Sequence, residues 1–125
     1  MARDGTKSGS FFLTVSSAYQ QRAWSPAVDI YQLSQGWLVK FDLAGVSPQE
    51  LEVTARERCL TVRGVRRDWQ VEEGQHTYSM EISYNEFERL VQLPCDVDSM
   101  LIRTDYRDGM LLVRLLLKDP DHECS

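Results

Sequence analysis

From Trp24 onward, apolar residues recur at every second position in short runs broken by turn residues. In "WLVKFDLAGV", Trp37, Val39, Phe41 and Leu43 share one face, with Leu38, Lys40 and Asp42 on the other. The pattern repeats with Leu51, Val53 and Ala55, then Leu60 and Val62. It returns with Tyr78, Met80, Ile82 and Tyr84, then Phe87, Val91 and Leu93, and last with Ile102, Thr104 and Tyr106 and with Leu111, Val113 and Leu115. A shorter run, Val28, Ile30 and Tyr31, opens the series and ends in "SQG". Asp108-Gly109 between two alternating runs predicts a two-residue hairpin, because both turn positions need positive φ. Eight or nine such strands with no helical period predict an all-β protein built as an antiparallel sandwich.

Two segments depart from this rhythm. Residues 1–23 hold one apolar island, Phe11-Phe12-Leu13, and are read as a flexible N-terminal arm. The charged stretch "GVRRDWQVEEGQ" carries Trp69 and Val71, and an indole has no use in a solvated loop, so a short strand that packs on something is expected there.

Composition narrows the function classes. At 125 residues the chain can bury a core as one domain without a metal or a disulfide framework. A net charge of −5 argues against nucleic acid or an anionic membrane as partner. The longest apolar runs, "FFLTV" and "MLLVRLLL", fall short of the roughly 20 residues that span a bilayer, and no secretory signal is recognisable. Cys59, Cys95 and Cys124 are odd in number and widely spaced, which predicts reduced thiols and a cytoplasmic location.

Candidate chemistry is sparse. His76 and His122 lack recognisable catalytic partners, and "DHEC" at the C-terminus reads as a solvated end, so neither an enzyme, a metal nor a cofactor is expected. Arg56, Arg58, Arg63, Arg66 and Arg67 face nearby glutamates and are expected to form surface ion pairs.

Five segments in order resemble the α-crystallin domain of bacterial small heat-shock proteins: "WSPAVDIYQ", "FDLAGVSPQELEV", "LTVRGVRR", "FERLVQLP" and "IRTDYRDGMLLVRLLLK". The resemblance covers residues 24–118 and leaves 119–125 as a short polar tail. The family pattern is broken at Ala44 (usually Pro), Ile82 (often Arg), Asn85 (usually Gly) and Thr104 (usually Ala). The resemblance implies an immunoglobulin-like sandwich and an ATP-independent holdase that binds partly unfolded client proteins. It implies a homodimer in which an insertion, residues 65–75 here, crosses to the partner, so that Trp69 and Val71 meet the partner's Val28 and Ile30. It also implies a groove between edge strands for tails, clients or partners, mapped to Leu51, Val53 and Ala55 with Leu90 and Val91. The tail carries no aliphatic residue to dock there, which points to a dimer or small oligomer. Phe11, Phe12 and Leu13 are candidate client contacts, or else an island that tucks against its own sandwich. A different class of function, a dedicated adaptor or co-chaperone domain with one partner, uses the same fold.

Overall fold

The alternating runs become seven strands among residues 24–119, the part of the chain that the computed structural model describes. They are β1 (Val28–Leu33), β2 (Gly36–Asp42), β3 (Glu52–Arg56), β4 (Cys59–Arg66), β5 (Asn85–Gln92), β6 (Met100–Arg107) and β7 (Met110–Leu117). A four-stranded antiparallel sheet in the order β1-β2-β7-β6 faces a three-stranded one in the order β3-β4-β5. The architecture is the expected β-sandwich.

The predicted faces meet in the core. Val39 pairs with Val113 and Phe41 with Leu111, and all four are buried against Leu60, Val62 and Phe87 of the second sheet. Asp108 (φ 54°) and Gly109 (φ 79°) form the β6–β7 hairpin turn with both residues in the left-handed region, as the Asp-Gly pair predicts. Leu43 N–H donates to Gly109 C=O at 2.9 Å and the Tyr106 hydroxyl to Leu43 C=O at 2.7 Å, so this hairpin is tied to the end of β2.

Connections fix how the sheets lie on each other. Trp24 makes a parallel bridge to Phe87 of β5, and Arg89 of β5 donates to Pro26 C=O at 3.1 Å just before β1 begins. The β1 side therefore lies at β5. At the opposite end Val97 N–H donates to Glu57 C=O at 2.6 Å, and Glu57 N–H to the Asp98 carboxylate at 3.0 Å. These bonds join the β3–β4 turn to the lead-in of β6, so the β6 side lies at β3.

Four strands over three leave inner face uncovered. Ile30 stands opposite buried Val39, and Ile102 opposite buried Leu115, so both point inward. They are nonetheless 46% and 41% exposed.

Two features stand apart from the alternating runs. Pro48–Glu50 forms a 3-10 turn, so Glu50 closes a turn and β3 opens at Glu52. Residues 67–84 contain no strand, although "HTYSMEISY" and the Trp69–Val71 stretch both alternate. Alternation specifies a face, but a strand also needs an edge to pair with, and within the protomer these residues pair with none.

Gly64 on β4 packs where no side chain fits: a Cβ would stand 2.6 Å from Glu50 C=O and 2.8 Å from the Phe87 ring. Gly64→Ala is expected to cost about 1–3 kcal/mol as overpacking of a close-packed seam, read as a lowered urea midpoint with unchanged m-value.

Candidate functional site: two open edges and a clamped loop

The first edge is β1. Val28 packs against the core while Ile30, one inner-face step along, is left open. On its far side β1 pairs with no strand among the described residues, which leaves a row of backbone donors and acceptors available.

The loop of residues 67–84 leaves the sandwich beside this edge, and two consecutive arginines hold its base. Arg67 makes a bidentate pair with Glu50, at 3.0 and 2.8 Å to the same carboxylate oxygen. Arg66 donates to Ser83 C=O at 2.8 Å and to Ala44 C=O at 3.1 Å. Its guanidinium also lies 4.0 Å over the Trp24 ring, a cation–π contact at the root of the N-terminal segment. Asn85 re-enters β5 with φ 105°, a conformation that suits the glycine of the family pattern and that asparagine tolerates better than most residues. Further out, the Gln75 carboxamide oxygen accepts from both Val71 and Glu72 N–H at 3.0 Å and folds the tip into a turn.

Between those anchors the charged loop carries apolar side chains that stay exposed. Trp69 is 68% exposed and Val71 63%, as interface residues without their partner would be, but neither lies in the expected strand. Tyr78, Met80 and Ile82 are exposed too, at strand spacing. Their alternation predicts a strand of the protomer, but they pair with no strand among the described residues. The excursion is thus residues 67–84, longer than the expected 65–75.

The second edge replaces the expected groove. β4 lies between β3 and β5, so Leu51, Val53 and Ala55 do not share a groove with Leu90 and Val91. Val91 is buried in the core and Leu90 points to the outer face. Strand order cannot be read from alternation, and the mapping confused two edges of one sheet with the facing edges of two. The seam that does exist runs between β3 and β6, where half-buried Leu51, Val53 and Ala55 pack on the core and Ile102 stays exposed.

These features coincide with a family match over residues 29–124, described as the Hsp20/alpha crystallin family. The chain belongs to that family. Among relatives, it is 32% identical over 93 residues to Spore protein SP21 of Stigmatella aurantiaca, covering 74% of this chain and 55% of the relative. It is 26% identical over 102 residues to Small heat shock protein C4 of Rickettsia felis, covering 81% and 62% respectively. The chain therefore spans less than two thirds of both relatives. The crystal structure of hspA from Xanthomonas axonopodis superposes with a TM-score of 0.64 at 29% identity, covering 78% of this chain and 97% of that one.

Other residues of this Hsp20-family chain take simpler places. Arg63 lies between Glu52 at 3.7 Å and Glu88 at 4.0 Å, an exposed ion-pair row of the expected kind. Cys59 is a free, half-buried thiol. Cys95, buried just past β5, is instead disulfide-bonded. The expectation of reduced thiols fails at that position, because spacing along a chain does not report approach in space. The candidate contacts Phe11, Phe12 and Leu13 also lie outside the described residues.

Arg67 holds the Glu50 carboxyl below the usual carboxylate range, and Glu50 raises the Arg67 guanidinium in turn. A depressed carboxyl contributes above its unfolded-state pKa and loses that contribution as pH falls through its folded-state value. Amide exchange at residues 67–70 is therefore expected to be pH-corrected flat near neutrality and to accelerate in acid; Glu50→Gln should show the fast regime at neutral pH with little change in Tm, since the pair is exposed.

Proposed function

We propose that the protein is an ATP-independent holdase that works as a homodimer or small oligomer and keeps partly unfolded proteins from aggregating. The observation that carries this reading is the pair of inner-face isoleucines, Ile30 and Ile102, left half-exposed at opposite edges of one sandwich. A finished monomer would cover them, since burying each fully is worth about 1.5–3 kcal/mol. Edges of this kind accept extended chains through backbone pairing, with side chains entering alternate pockets.

The β1 edge serves self-association. The segment Tyr78, Met80, Ile82 has the period and exposure of a strand without a sheet, and β1 is an edge without a neighbour. Pairing one protomer's segment with the other's β1 meets both needs twice in an isologous dimer. Trp69 and Val71 flank that pairing and close over Val28 and Ile30. The β3–β6 seam then remains for clients, with Phe11, Phe12 and Leu13 as further contacts. Family membership supports a chaperone role in general terms.

The protein should suppress heat-induced turbidity of unrelated clients at near-stoichiometric ratio without nucleotide; failure to suppress, with tight capture of a single protein, would favour a dedicated adaptor. Ile82→Asp should weaken dimerisation by on the order of tenfold to a hundredfold in sedimentation, and Trp69→Ala by less, because Trp69 lies beside the proposed strand. A parent chain that sediments as a monomer at micromolar concentration would contradict the dimer.

A further inference from the structure

The run "MLLVRLLL" is apolar at positions of both parities, and β7 accordingly presents apolar residues to both faces of its sheet. Leu111, Val113 and Leu115 enter the core. Leu112 and Leu116 point the other way, onto the outer face. There the register sets Leu116 between Gly36 and Leu101, with Leu33 beyond Gly36, and places Leu38 one row along. A sheet with one solvated face alternates apolar and polar; a strand apolar on both sides is one covered on both sides. The second sheet covers only the inner face. Leu112 is just 7% exposed although it stands outside the core cluster, while Leu101 at the rim is 45% exposed.

The row beside the leucines has its own demand. Arg103 and Arg114 stand directly opposite each other, a like-charge cross-strand pair that is unfavourable without a compensating neighbour. Aromatic ring faces satisfy guanidinium groups and leucine side chains together.

We propose that Phe11-Phe12-Leu13 of the same chain docks on this outer leucine face, across β2, β7 and β6 and against Arg103 and Arg114. Of the chain outside the described residues, 120–125 holds no Val, Ile, Leu, Met, Phe, Tyr or Trp, whereas 1–23 holds Phe11-Phe12-Leu13 as its longest run of large apolar side chains. The N-terminal segment enters the fold at Trp24, immediately before edge strand β1 of the same sheet. Ten residues separate Leu13 from Trp24, which extends to roughly 33–36 Å. The face from β1 to β6 is three strand spacings, about 14 Å, wide. The segment reaches with length to spare.

The consequence rests on the holdase reading: residues assigned there to clients are parked on the sandwich until something displaces them. Docking itself is tested without any client, so the two can fail separately. Chymotrypsin cleavage at Phe11 and Phe12 of the full chain is compared with cleavage of a free peptide of residues 6–18. Docking predicts that the full chain is cut at least about tenfold more slowly, that Leu101→Gln with Leu116→Gln restores the peptide rate, and that Ile30→Gln and Ile102→Gln do not. Cleavage of the parent at the peptide rate overturns the proposal. So does release by the Ile30 or Ile102 variants, or protection that disappears on dilution, which assigns the cover to a second copy. Phe11→Ser with Phe12→Ser leaves every described core residue unchanged; it should abolish ring-current shifts at the Leu101 and Leu116 methyls, and unchanged methyl shifts overturn the proposal independently.

Discussion

A four-stranded sheet cannot be covered by a three-stranded one. That inequality shapes everything functional in this molecule. Sheets pack face to face about 10 Å apart, and each strand adds about 4.8 Å of width, so one strand's worth of inner face has no opposite number. Here the shortfall is divided between both margins, at Ile30 on β1 and Ile102 on β6. The centre of the sandwich, from Phe41 to Phe87, is fully buried, so stability and availability are separated in space. A core that needs nothing from outside supports rims that do.

The loop of residues 67–84 extends the same logic. It is tied at its base by charge-assisted bonds from Arg66 and Arg67, which position it without burying it. Exposed ion pairs contribute little to global stability, so these contacts hold a direction while the tip stays open. Arg66 also stacks on Trp24, so the root of the N-terminal segment and the end of the loop share one side chain.

The strands and their faces were legible in the sequence wherever the pairing partner lies in the same chain. Val39, Phe41, Leu60, Val62 and Leu115 sit in the core because alternation reports burial on one face, and Asp108-Gly109 turns as its φ requirement demands. What alternation cannot carry is the identity of the neighbour. The segment Tyr78 to Ile82 therefore looked like a strand of the protomer, and the groove was drawn between β3 and β5 when the facing edge belongs to β6. Trp69 is conspicuous in the sequence as a buried-type residue in a charged loop, whereas Ile82 carries no mark beyond ordinary alternation.

If uncovered rims are the working parts, the β1 edge must be paired in solution by another protomer. Backbone amide hydrogen exchange of the full chain across a concentration series measures this at the bonds themselves. The account predicts slow exchange in residues 78–82 and along the outward-facing amides of β1 at high concentration, lost together on dilution while β2 and β7 stay protected. Fast exchange of both segments at every concentration would contradict it.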